Sequence, residues 1–532
     1  MKQPHRLVAV LAVALCAAPL FAQEKSSPPP PAKPETLKLS KLAPAKVRPN
    51  QCLLTYRIST RSPECQAHFD QGLGYFYNYV WMEAARSFET AAKIDPDCAI
   101  AWWGLSRALD EWKGPNLSKE ALQTAQKLLP KASDRERLLI TARLQEKGLI
   151  GDLKVEDRRK AATKTIDELI ALYEDDQEAW YARAKLAGDG RPGNVGGGGR
   201  VNEVPFYKAL LRLNPIHPGA NHELVHIYEA TKRPALGWPH AEGYIASSPG
   251  IPHAWHMQAH LAMRIGKWDK TTDRSWRAIE MEKQYHREMN VKPKDDHQFD
   301  HHLETLTKAL IHDGRFREAG QIKSEAQAFG YRHFPVWFRL HLAERDWDEA
   351  LKIVEHFRKN DKIAAAYYAA LVYLAQNDPA RAKPEVEVLQ AATSQRRANK
   401  QNEYRFWEVQ GIYLCQTGAV DEGLKMLARC VEKTKDDYQH HAWGGGAYYM
   451  EQWGQAALTC GKLDVAEEAF LEALAHDSGS AVAALGMQML CERQNRPDEA
   501  ARYATLARRV WRHAEVRHFE GLREACGGKA VE

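Results

Sequence analysis

Apolar positions along most of this chain recur every three to four residues, and period-two alternation is scarce. In FDQGLGYFYNYVWMEAARSFETAAKI the pattern predicts an amphipathic helix, a short turn and a second helix. The same arrangement returns in register. Gly72 precedes Ala84, Phe88 and Ala91, and Gly454 precedes Ala466, Phe470 and Ala473 with the same spacing. One period after the later block, Ala500, Ala504 and Ala507 hold the second-helix positions, and one period before it Gly411, Gly423, Leu427 and Cys430 do so. Small residues fall where the two helices of a unit come closest, and large apolar ones fill the space toward the next unit. RDWDEALKIVEHF, GRFREAGQIKSEA and NDPARAKPEVEVL read as degenerate copies. A helix-turn-helix unit of about 34 residues cannot bury its apolar face alone, so units must stack. The expectation is an all-α solenoid of about ten to twelve helical hairpins in a right-handed superhelix.

That unit length, with Gly or Ala at the helix crossings and Pro96 closing a unit at IDPD, is the tetratricopeptide pattern. Outside the repeats the composition changes. MKQPHR and the apolar run LVAVLAVALCAAPL, ending at Leu20-Phe21-Ala22, read as a cleaved export signal over 1–22, too short to span a bilayer. Leu15 before Cys16 argues against a lipoprotein cysteine, which requires a small residue there. Residues 23–50, rich in Pro, Lys and Ser, read as a disordered tether. The remainder divides into an N-terminal subarray (51–187), a glycine-rich loop (188–200), a histidine-rich centre (201–330) and a C-terminal array (331–532). GDGRPGNVGGGGR lacks the Lys-Ser/Thr and the preceding strand of a phosphate-cradling loop, so it reads as a connector.

Charge narrows the partners. A net charge of +5 with 27% charged residues, and no basic stripe interleaved with aromatics, argues against nucleic acid. No later window is apolar enough for a transmembrane segment. An exported, periplasmic or secreted scaffold holding a protein, peptide or other ligand in its concave groove is the leading expectation, with no catalytic residue assigned. Tyr75, Tyr77, Tyr79, Trp102 and Trp103 are candidate aromatic contacts, with core packing as their alternative fate. Of the cysteines beyond Cys16, proximity in sequence favours Cys52 with Cys65 and Cys415 with Cys430 for pairing. Inert burial is the alternative, and the absence of C-x-x-C gives no support to a thiol redox or cysteine-zinc site.

The histidines carry the candidate chemistry. His222, His226 and Glu229 share one helical face; His253, His256 and His260, in PHAWHMQAH, share a second; His297, His301, His302 and Glu304 lie on a third. Imidazoles and carboxylates one turn apart are the spacing with which helix bundles hold transition metals. The candidate ligand set is His222, His226, Glu229, His253, His256, His260, His301 and Glu304, for a divalent ion such as zinc. The alternative is histidines that fix packing through carbonyls and carboxylates. HELVH (222–226) also matches H-E-x-x-H, whose glutamate serves zinc proteases as general base. His240, Glu242 and His253 are third-ligand candidates, but no strand-rich region precedes the motif. A metal-dependent hydrolase is therefore the alternative function, and Glu223 reads as a surface or groove residue.

These stretches resemble bacterial tetratricopeptide proteins with a histidine-containing middle, a group distantly similar to tetratricopeptide repeat protein 38. The resemblance covers about residues 65 to 330 and rests on FDQGLGYFYNYVWMEAARSFETAAKIDPDCAIAWWGLSRAL, NPIHPGANHELVHIYEA, PHAWHMQAHLAMRIGKWD and HHLETLTKALIHDGR. Relatives typically read H-P-G-A-x-H-Y-Y-I-H-x-x-E, then G-H-L-V-H-M-P-x-H-I-Y, then H-N-x-H-F-L. Carried over by position, their histidines fall on His217, His222, His226, His253, His256, His260 and His301, and their acidic residue on Glu229. Glu304 stands where relatives have a further histidine, and Glu223 where they have an aromatic residue. The resemblance implies the fold and a shared histidine centre, and names no activity.

Overall fold

A computed structural model describes residues 36–188, 198–394, 399–437, 441 and 444–527. The expected export signal, the first part of the expected tether and residues 189–197 of the glycine-rich loop lie outside them. The described residues hold 25 α-helices and no strand. Consecutive helices pack two by two, from 63–77 with 81–94 to 481–493 with 497–510, in twelve pairs closed by a last helix, Val516–Ala525. No described helix is long and apolar enough to cross a membrane.

The repeat works as its residue types predict. Phe88, on α2 (Trp81–Ile94), is fully buried between Gly72 of α1 (Pro63–Tyr77) and Gly104 of α3 (Ala99–Trp112). A Cβ built on either glycine would stand 2.6 Å from that ring. Phe470 sits in the same way between Gly454 and Gly486, at 2.5 and 2.3 Å from the equivalent positions. The absent side chains are what let the aromatic ring join one hairpin to the next.

Part of the expected tether is ordered structure. Leu37 and Leu39 are buried, and so are Leu54, Tyr56 and Ile58 beyond it. Glu89 accepts hydrogen bonds from the backbone N–H of Leu39 (2.5 Å) and Ser40 (2.8 Å), and Thr90 Oγ1 from that of Ala45 (2.8 Å). A strap thus lies on the first hairpin, its two leucines anchored in a turn and the amides of Leu39, Ser40 and Ala45 satisfied by side chains. Three of the expected groove aromatics, Tyr75, Tyr77 and Trp103, are also core residues here.

The superhelix closes on itself. Trp268 Nε1 donates to Asp477 (2.9 and 3.1 Å), and its indole lies flat on His312 with ring centroids 3.9 Å apart. Trp511 Nε1 donates to the His312 carbonyl at 3.1 Å. On the other side, Tyr285 donates to Glu83 at 2.7 Å and Arg48 pairs with Glu288. The central hairpins are therefore enclosed by both ends of the array. Large apolar cores fill those ends, whereas around the centre the apolar cluster shrinks to Val225, Ala241, Tyr244, Ala254, Met257 and Leu261. Histidines occupy the interior there.

The expected cysteine neighbours are also replaced. Cys65 lies against Cys98, and Cys415 against Cys460. Cys52 instead accepts a contact from Ser248 Oγ at 3.5 Å, and Cys430 faces the Tyr404 carbonyl at 3.9 Å. Helix packing brings together residues of neighbouring hairpins, which sequence proximity does not report.

Candidate functional site

Three successive first helices of the hairpins supply the centre: α9 (Pro218–Glu229), α11 (Pro252–Arg264) and α13 (Phe299–His312). Proline stands at the start of α9 and α11, where its missing N–H costs nothing and its fixed φ suits the first turn. His217 caps α9, its Nδ1 accepting from the Ala220 N–H at 3.2 Å. This histidine is a capping residue, apart from the cluster.

The other histidines converge as two groups of three. His222, His226 and His253 form one, all buried; His256, His260 and His301 form the other, with His301 partly open. Within each group, one ligand atom per residue lies within 4.8 Å of the others. Two imidazole nitrogens on one tetrahedral zinc ion, each about 2.0–2.1 Å from it, sit roughly 3.3 Å apart. His222 Nε2 and His253 Nε2 are 3.0 Å apart. His302, adjacent to His301, stacks on His256 with centroids 3.8 Å apart and places Nε2 3.4 Å from His253 Nδ1. His297 is exposed and outside the cluster.

Hydrogen bonds fix which nitrogen of each ring is available. His222 Nδ1 lies 2.7 Å from the Tyr77 carbonyl, which can only accept, so Nδ1 carries the proton and Nε2 the lone pair. Glu229 accepts from His226 Nδ1 at 3.0 Å and from His260 Nδ1 at 2.8 Å, one with each carboxylate oxygen. Both of those rings therefore also turn an Nε2 lone pair inward, and His226 Nε2 is buried with no hydrogen-bond partner. This revises the ligand set: Glu229 orients one histidine of each triad, as the outer carboxylate does for metal-bound imidazoles. Glu304 flanks the open side, 4.0 Å from His301 Nδ1, and does not join either triad.

Electrostatics favour the neutral ring at His222, His253, His256, His301 and His302. Burial, reinforced by His226, lowers His222 to about 3. Burial and neighbouring imidazoles take His253, His256 and His301 well below their ordinary value, and burial takes His302 to about 4. Burial opposes ionisation of Glu229, but His260 and His226 prevail and lower it to about 2. A row of rings runs from His222 through His253 to His302, whose Nδ1 is 2.7 Å from Glu282. Burial, with Asp296 beside it, holds that carboxyl well above the usual range.

Glu223 departs from its expected surface position. It is fully buried and turned away from the triads, paired with Arg200 and accepting from Lys185 (3.2 Å), Tyr79 (3.0 Å) and Tyr181 (3.0 Å). Burial is outweighed by Lys185 and Arg200, so the carboxylate stays ionised well below its ordinary range. With both oxygens committed to cations and phenols, it is not placed to act as a general base beside the triads. Among the third-ligand candidates of H-E-x-x-H, His253 does meet His222 and His226; His240 contacts Asn221 and Glu242 contacts Trp238.

Tyr79 is expected either as a groove contact or as a core residue. The structure folds its ring over the first triad, with centroids 4.3 Å from His222 and 6.0 Å from His226. Its backbone has φ 58, a left-handed conformation that a bulky residue adopts only when its surroundings hold it. Tyr244 stacks on His222 with centroids 4.8 Å apart and was not singled out by spacing. Neither ring leaves a periodic signal on α9, because Tyr79 reaches the site from the turn of the first hairpin and Tyr244 from the helix Trp238–Ser247 that pairs with α9.

A tetratricopeptide repeat family model matches residues 69–136. Among solved structures, a human IFIT1 dimer with m7Gppp-AAAA is similar at 11% identity, covering 85% of this chain and 91% of that one with a TM-score of 0.31. A monomeric mutant of IFIT1 with Gppp-AAAA is similar at 12% identity, covering 85% and 92%, with a TM-score of 0.30. No curated protein matches the chain. The matched segment is similar to the tetratricopeptide repeat, and the same register of stacked hairpins continues beyond it in an all-α fold.

Proposed function

We propose that this protein is an exported repeat scaffold whose central hairpins are clamped by a transition-metal centre of two histidine triads, with a divalent ion such as zinc as the expected occupant. One observation carries the reading: Glu229 accepts from Nδ1 of a histidine in each triad, so the Nε2 lone pairs of His226 and His260 face inward. A packing role alone gives no reason to bury His222, His226, His253, His256, His260 and His302 together and leave His226 Nε2 without a partner. Neutral imidazole is the form that binds zinc, copper, iron or nickel, and burial favours it at His222, His253 and His256. Ligands drawn from α9, α11 and α13 would tie three successive hairpins together and fix the local curvature of the superhelix. The scaffold would then present its remaining concave surface to a protein, peptide or other ligand. Binding, with no catalytic step, is the proposed role.

The test is metal analysis of protein purified without an affinity tag, with His226→Ala and His256→Ala alongside. Stoichiometric metal in the parent chain, reduced in each variant, is the expected result. Substoichiometric zinc, copper, iron or manganese, unchanged by either replacement, would overturn the reading.

A further inference from the structure

Away from the histidines, the first hairpin holds a second pair of reactive groups. Cys65 lies in the first turn of α1, and Cys98 is the residue on which α3 begins. Both are buried, and one sulfur faces the other. The two Sγ atoms and a carboxylate oxygen of Asp95 all lie within 4.8 Å of one another. We propose that Cys65 and Cys98 form a disulfide that staples the start of the first hairpin to the start of the second. The proposal rests on the exported setting proposed above and is independent of the metal reading.

The surroundings explain why this pair is suited to oxidation. Ser62 caps α1 through a hydrogen bond to the Cys65 N–H (3.1 Å), so Cys65 occupies the positive end of the helix dipole. The Cys98 thiol and Thr60 both favour the Cys65 thiolate, which outweighs burial and lowers its pKa, whereas Cys98 is raised. One sulfur of the pair is thus the better nucleophile. In exchange with an oxidised dithiol of the export compartment, the Cys65 thiolate attacks a partner sulfur and forms a mixed disulfide, and one partner thiolate leaves. The Cys98 thiol then loses its proton and attacks Cys65 Sγ, expelling the second partner thiolate. The partner departs as a dithiol carrying two electrons and two protons, and the chain keeps one S–S bond. Burial at both sulfurs places the first exchange before the second hairpin closes on the first, when Cys65 already stands at the capped start of α1.

The stapled residues bracket α2, whose Phe88 is the ring that locks the first two hairpins. The carboxyl end of α1 provides the Tyr77 carbonyl that sets the His222 tautomer. Restraining the start of α1 therefore restrains the helix that supports one wall of the histidine centre.

The test is a peptide map of the full chain made in an oxidising and in a reducing compartment, with free thiols alkylated before digestion. Oxidised protein should give a peptide containing Cys65 linked to one containing Cys98, and reduction should abolish it. Reduction should also lower the Tm of the parent chain by more than that of the Cys65→Ser, Cys98→Ser double variant. Alkylation of both cysteines in protein from the oxidising compartment would overturn the proposal. So would linkage of either cysteine to another partner, or stoichiometric zinc lost on Asp95→Asn. If the double variant does not fold, the map of the parent chain decides.

Discussion

Replacing Glu229 with glutamine probes the centre most sharply, because one side chain serves both triads. The carboxylate accepts from His226 Nδ1 and His260 Nδ1, and its pKa is lowered from 4.5 to about 2. That difference corresponds to on the order of 3 kcal/mol of favourable interaction for the ionised form at neutral pH. A glutamine can accept from only one of the two rings; its amide NH2 meets the other N–H. That second imidazole must then flip or change tautomer, and its Nε2 lone pair turns away from the triad. Loss of such an orienting partner costs about 10- to 100-fold in metal affinity. Competition with a chromophoric chelator would measure it, with His226→Ala and His256→Ala as comparisons confined to one triad each. The sign with pH follows from the depressed carboxyl. Its stability contribution is complete above about pH 4.5 and disappears as pH falls through about 2, so the Tm gap between parent and Glu229→Gln should be wide at pH 7 and close in acid. Unchanged affinity at both sites in the glutamine variant would refute the orienting role.

Three further outcomes test the frame around the centre. Gly72→Ala and Gly454→Ala should each cost about 1–3 kcal/mol, read by chemical denaturation, since the new methyl meets a ring held from the other side by Gly104 or Gly486; unaltered midpoints would contradict the lock. Glu223→Gln should lower stability by about 3–5 kcal/mol by leaving Arg200 and Lys185 under-compensated, with metal content unchanged; loss of metal with full stability would return Glu223 to the site. Burial raises Glu451 to about 7, so its contribution is favourable below about pH 4.5 and is lost as pH rises through 7. Glu451→Gln, which still accepts from Ser480, should therefore raise Tm at pH 8.5 and have little effect at pH 5; an equal effect at both would remove burial as the cause.

The repeat was legible because its physics is local. Gly72, Phe88 and Gly454, Phe470 are bound to one spacing by direct contact between a methyl-free backbone and a ring, and any hairpin that stacks must satisfy it. The strap was not legible, since Leu37 and Leu39 are two anchors in a proline- and lysine-rich stretch and the acceptors for its amides, Glu89 and Thr90, lie a hairpin away. Closure through Trp268 and Asp477 escaped for the same reason. It depends on accumulated superhelical twist, which no window of sequence contains.

At the centre, periodicity gave the helical faces but could not give their depth or orientation. His222, His226 and Glu229 do share a face, yet a one-turn offset along it separates an imidazole aimed at the triad from a carboxylate aimed at Nδ1 of two rings. His301 and His302 are consecutive, so they point about 100° apart on a helix. One joins the second triad and the other stacks beneath it, a distinction that needs the position of α11. Glu223 makes the same case in reverse. In the sequence it sits between two candidate ligands and completes a protease signature. In the fold, the position after His222 faces the previous hairpin, where Arg200, Lys185 and Tyr181 hold it, and Tyr79 reaches it from the turn of the first hairpin. The glutamate that matters to the histidines is Glu229, further along the same helix, and its evidence is the pair of rings whose protons it fixes.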